Sequence, residues 1–77
     1  MDLQVFVLNF ADLFEITDEN EFAADTKFRD LVEWDSLLAL SVIAMVDEEY
    51  NVVLTGDNIR QSATIEDLFN VVKSQKE

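Results

Sequence analysis

Apolar residues recur at helical spacing in three stretches of this chain, and a mostly acidic segment separates the first stretch from the second. From Leu3 to Phe14, the residues Leu3, Phe6, Phe10 and Leu13 lie three or four apart, with Val7 and Phe14 widening the stripe, which is the period of one helix face. Val5 and Leu8 fall outside that stripe, and the β-branched and aromatic content lowers helix propensity, so a strand over Gln4–Asn9 is the competing reading. Between Leu37 and Val46 the single polar residue is Ser41. A helix over about Ser36–Tyr50 is therefore apolar almost all round and belongs at the centre of a small fold. Asp35 stands at its N-cap, where a carboxylate accepts unpaired backbone N–H groups and suits the positive end of the helix dipole. The third stretch carries Ile65, Leu68, Phe69 and Val72 as its buried stripe. Thr64 caps it, with an acid three residues later, and Lys73 and Lys76 suit its C-terminal end. The tail Ser74–Glu77 is expected to fray.

Between these elements the pattern is less regular. Glu15–Glu33 is a long connector rich in acids, interrupted by Phe22, Phe28, Leu31 and Val32. A structureless segment of that length is unusual inside a small domain, so Phe22, Phe28 and Leu31 are expected to pin it across the core. Lys27 and Arg29 sit among the acids and relieve local repulsion, and Trp34 reads as a packing anchor at the connector's end. Asn51–Gly56 reads as a turn with Leu54 as its buried anchor, a strand over Tyr50–Leu54 being the alternative. Asp57–Gln61 reads as a short helix with Asp57 near its N-cap and Ile59 inward. The expected fold is all-α: a small four-helix bundle of three longer helices and one short one, with a long loop between helices one and two.

With 77 residues there is room for one core, so residues 1–77 are read as a single domain. Hydrophobic residues make up 49% of the chain, an ordinary globular level, so its acidity is not a sign of disorder. The net charge of −12 argues against nucleic acid as a partner and for basic protein surfaces. Residues 1–35 hold 10 of the 17 acids. There is no Cys or His, which removes a disulfide framework, a thiolate zinc site and the usual general base. No apolar run reaches membrane-spanning length and no basic leader precedes one, so a cytoplasmic location is expected. A calcium loop centred on Gly56 fails, because Val53 falls where a ligand is needed and Ser62 where a glutamate is.

Asp35-Ser36-Leu37 at the head of a mid-chain helix, in a short acidic chain without Cys or His, resembles the acyl carrier proteins, and the resemblance covers nearly the whole chain. It implies the carrier fold and a 4'-phosphopantetheine arm, taken from coenzyme A, on Ser36, with Asp35 and Leu37 flanking it. The arm's thiol holds acyl groups as thioesters for fatty acid, related lipid or polyketide synthesis. It also implies a docking face of Leu37, Leu38, Ser41, Asp47 and Glu48, with Leu37 and Leu38 half exposed, and an acyl pocket of Ala39, Ile43, Val46, Leu54, Ile59 and Ser62. Fatty-acid carriers usually place acids where this chain has Leu38 and Ser41, and an apolar residue where it has Ser62. The implied partners are a phosphopantetheinyl transferase and acyl-transfer and synthase enzymes with basic docking surfaces, met by a monomeric carrier that is not itself an enzyme. An aminoacyl or peptidyl carrier of the D-alanyl type is the alternative within the class, and an unmodified acidic interaction module is the alternative outside it. A hydrolase would need a base for Ser36, and no His exists while no Lys or Arg is close in sequence.

Overall fold

The computed structural model describes residues 2–76. Four helices follow in order: α1 (Leu3–Ala11), α2 (Ser36–Tyr50), α3 (Gly56–Gln61) and α4 (Ile65–Lys76), with 3₁₀ turns at Glu19–Glu21 and Phe28–Asp30 inside the connector. No strand occurs among the described residues, so the helical reading of Gln4–Asn9 holds and the strand alternative over Tyr50–Leu54 falls away. α1 packs on α2 and α4, α2 also meets α4, and α3 lies against α4. Three longer helices and one short one make the all-α bundle that the pattern predicts.

α1 begins where Asp2 accepts the backbone N–H of Gln4 (2.8 Å) and Val5 (3.3 Å). It stops at Ala11, short of Phe14, although the apolar spacing continues. The cause lies elsewhere in the chain. Glu33 reaches across from the end of the connector, and its carboxylate accepts the N–H of Glu15 (2.8 Å), Ile16 (3.0 Å) and Thr17 (2.8 Å) and the Thr17 hydroxyl (2.9 Å). Amide groups that would continue α1 are thus turned toward one carboxylate, a concave anion seat. The bond from the Glu15 amide is the foremost cause holding the Glu33 pKa at about 2, against an ordinary value of 4.5, and the Thr17 and Ile16 donors add to it.

The connector is pinned as expected, chiefly through aromatic side chains. Phe10 is fully buried. Its ring lies 5.3 Å from that of Phe28 and 5.7 Å from that of Phe14, and Trp34 stacks nearly parallel to it at 6.4 Å. Phe22 closes on Phe14 at 4.9 Å, and Leu31 is half-buried against the same cluster. The connector also caps α4. The Ile65 N–H donates to the Thr26 carbonyl (3.1 Å) and the Glu66 N–H to that of Ala24 (2.9 Å), while Asp67 and Thr64 bond reciprocally as a capping box. The leading N–H groups of α4, which no helix can pair internally, therefore all find acceptors.

Three local readings are corrected. α3 is capped by Thr55, whose hydroxyl exchanges bonds with Asn58, because Asp57 falls inside the first turn and pairs with Arg60 instead. The segment after α2 has two buried anchors, Val52 and Leu54, with Val53 turned outward at 68% exposure, since an extended backbone alternates its side chains. Residues 74–76 remain helical, and Lys76 donates to the Tyr50 carbonyl at the end of α2 (3.1 Å), which ties that last turn down; Glu77 lies outside the described residues. α2 itself ends at Asn51, which takes the left-handed conformation (φ 57°) that closes helices. Ile65, Leu68, Phe69 and Val72 are all buried, and Ser62, the one buried polar residue among the described residues, satisfies its hydroxyl by donating to the Asn58 carbonyl (2.9 Å).

Because the folded state holds the Glu33 pKa below its unfolded value, the stabilisation is fully present above 4.5 and disappears as pH falls toward 2. Urea unfolding of wild type and Glu33→Gln should therefore show the wild type more stable at neutral pH, with the gap closing on acidification across that interval. The sole ion pair among the described residues joins Asp57 and Arg60, leaving a net charge of −12 with little pairwise relief. Thermal unfolding should accordingly move to higher temperature between low and moderate sodium chloride, as screening weakens the repulsion; a flat or falling Tm would contradict this.

Candidate functional site

Ser36 opens α2. Asp35 precedes it in extended conformation and accepts the Leu38 N–H at 2.9 Å, so the helix start is fixed by a carboxylate and the Ser36 side chain is left exposed in the first turn. Trp34, one residue further back, packs edge-on against Phe28 at 5.1 Å and stacks on Phe14 at 6.3 Å. The residues immediately before the serine are thus held by the core, while the serine faces out.

From Ser36 a surface groove of about 610 Å³ runs along α2 to α3. Ala39, Leu40 and Ile43 form its α2 wall, Gly56, Ile59 and Arg60 its α3 wall, and Arg29, Trp34 and Asp35 border it from the connector. The 36–40 and 39–43 spacings place these α2 side chains on one helix face. Of the residues expected in a pocket, Ala39, Ile43 and Ile59 are brought together beside Ser36. Val46, Leu54 and Ser62 are not: each is buried in the closed core and none reaches the groove. The reason is that Val46 continues the inward stripe of α2, and that Leu54 and Ser62 flank α3 on its buried side.

The expected docking face also divides. Leu37 is 72% exposed, and Ser41 and Glu48 follow it at the four- and seven-residue steps that keep to one side of α2, whereas Asp47 lies in the open on the side of Leu40. Leu38 is corrected: it is only 9% exposed and starts the inward stripe Leu38, Val42, Met45 and Val46. A helix apolar nearly all round conceals which of its leucines turn inward. Leu40, 62% exposed, takes the open position instead, three residues from Leu37 and seven from Asp47. Ser41 and Glu48, with Asn9, Asp12, Leu13 and Ala44, line a hollow between α1 and α2.

A family model described as a phosphopantetheine attachment site matches residues 6–72. The chain belongs to that family. Nothing matches it among curated proteins or among solved structures. It is thus a carrier domain, of a kind typically without catalysis of its own, whose prosthetic group is covalent 4'-phosphopantetheine. The residues fit that group. A carrier needs an accessible hydroxyl on a rigid support, beside a surface that tolerates both a phosphodiester and a chain with apolar portions. This carrier domain offers an exposed serine at the positive end of a 15-residue helix and a groove with apolar walls and two arginines. Arg29 and Arg60 are site residues that the sequence did not reveal, because nothing in their spacing brings the connector and α3 to one groove. Trp34, legible in the sequence as a packing anchor whose place beside Ser36 also allows contact with an arm, borders the same groove. Among the described residues no helix is long and apolar enough to cross a membrane.

The two leucines separate packing from recognition. Leu38→Ala should destabilise the carrier by about 2 to 4 kcal/mol, as buried leucine truncations do, whereas Leu40→Ala should stay within about 0.5 kcal/mol of wild type. Chemical unfolding of both variants is the check.

Proposed function

We propose that Ser36 is the attachment point of the phosphopantetheine arm and that residues 1–77 form one monomeric, cytoplasmic carrier domain, delivering acyl groups to enzymes of fatty acid, related lipid or polyketide synthesis. One observation carries the reading: in a chain matched by the phosphopantetheine model, an exposed serine stands in the first turn of α2, between the capping Asp35 and the exposed Leu37, at the mouth of a groove. When bound, the arm supplies a terminal thiol that holds the acyl group as a thioester. The chain's own residues do the rest. Asp35 keeps the helix start in register, Trp34 fixes the backbone behind it, and Ala39, Ile43 and Ile59 give apolar portions of the arm or its cargo a surface to rest on.

Partner enzymes meet a strongly acidic body, which favours basic docking surfaces and speeds encounter at low salt. Leu37 and Leu40 then give the contact an apolar component that salt does not weaken. Asp47 sets the acidic end of that ridge, while Glu48 and Ser41 extend it toward α1.

Incubation with coenzyme A and a broad-specificity phosphopantetheinyl transferase should add one phosphopantetheine to the intact mass, and Ser36→Ala should abolish the addition without altering the circular dichroism spectrum. An unmodified wild type, under conditions that load a control carrier, would leave the acidic interaction module as the better reading.

A further inference from the structure

The chain contains two arginines, Arg29 and Arg60, in a sequence with a net charge of −12. They lie far apart in sequence and on different elements, one in the 3₁₀ turn Phe28–Asp30 and the other in α3, yet both line the groove that opens at Ser36. The only acid lining it is Asp35, which is engaged in capping α2. Among the residues lining the groove, guanidinium groups thus outnumber carboxylates two to one, on a body that is acidic overall. Arg29 has no carboxylate within ion-pair distance among the described residues, so it is not spent on offsetting a particular acid of the connector. Arg60 pairs with Asp57, which does not line the groove. Guanidinium groups bind phosphate and carboxylate oxygens in a forked geometry, which suits them to one class of ligand.

We propose that Arg29 and Arg60 make this groove an oxyanion site that holds the loaded arm against α2 and α3. The inference rests on Ser36 being loaded. The oxyanion has two sources with the same chemistry: the phosphodiester of the arm, or a carboxylate on the acyl group it carries. The groove's shape agrees with either. It runs along the surface and leaves Val46 and Leu54 sealed in the core, so it seats a short or charged group better than a long hydrocarbon chain. Arg29 and Arg60 are positioning residues in this scheme, acting on where the arm rests.

The test uses the loaded protein with a 15N-labelled arm, followed by 31P and 15N NMR, in three forms: free thiol, butyryl thioester and succinyl thioester. Mass analysis comes first. A chain that does not load refutes the attachment reading itself, whereas a loaded chain allows the oxyanion site to be judged separately. In Arg29→Gln/Arg60→Gln the arm's amide signals should move toward those of a freely tumbling arm, with loss of their contacts to Ile43 and Ile59. Arg29→Lys/Arg60→Lys should retain part of the effect. If the change occurs already in the free-thiol form and moves the phosphorus resonance, the phosphodiester is the ligand. If it occurs only in the succinyl form and not in the butyryl form, the ligand is a carboxylate of the cargo. Asp57→Asn, which releases Arg60 from its pair, should hold the arm more firmly and shift the same signals the opposite way. Arm signals identical in wild type and the double glutamine variant, in all three forms, would overturn the proposal.

Discussion

The contact on which the placement of the serine depends is the packing of Trp34 and Phe28 against Phe10. A connector longer than α2 itself has to return to the core at a defined point, or α2 would begin at no particular place. Phe10 provides that point because it is fully buried in α1 and meets Phe14, Phe22, Phe28 and Trp34 at centroid distances of 5.3 to 6.4 Å. Such pairs contribute roughly 0.5 to 1.5 kcal/mol each beyond the area they bury, and with that buried area they offset part of the cost of ordering a loop. Glu33 adds a polar fastening on the solvent side of the same junction, by gathering the amides of residues 15–17. Apolar packing and a charged clasp thus act on neighbouring residues of one strap.

Charge is distributed in a way that composition alone does not convey. An acidic excess so large would favour solubility and steer basic partners wherever it lay. In the folded chain the groove beside the serine differs from that exterior, because, among the described residues, Arg29 and Arg60 line it with Asp35 as the one acid.

Much of this was legible in the sequence, and the failures have physical causes. α2 was found residue for residue because an N-capping Asp35 and a continuous apolar run agree with each other, and α4 because Thr64 and Asp67 announce it ahead of a clean stripe. The end of α1 was missed because it is imposed by Glu33, a side chain distant in sequence. Leu38 was taken for a surface residue because helical periodicity carries no information when nearly every position is apolar. Ala39, Ile43 and Ile59 share a face with the serine, but Val46, Leu54 and Ser62 could be assigned only by knowing how α3 leans on the core. The arginines were invisible as a pair, since their proximity is created by the fold alone.

Glu33, Trp34, Asp35 and Ser36 are consecutive, and each of the first three is fastened to a different part of the molecule: to the loop after α1, to the aromatic cluster and to the head of α2. Ser36 is consequently a fixed pivot. With the arm on Ser36, as proposed, whatever distance its end sweeps would come from the arm's own rotatable bonds, since the mounting would not swing with it. An enzyme that docks on the rigid body of the carrier therefore knows the origin of that sweep before the cargo arrives, and its active-site tunnel need match only a length measured from that point.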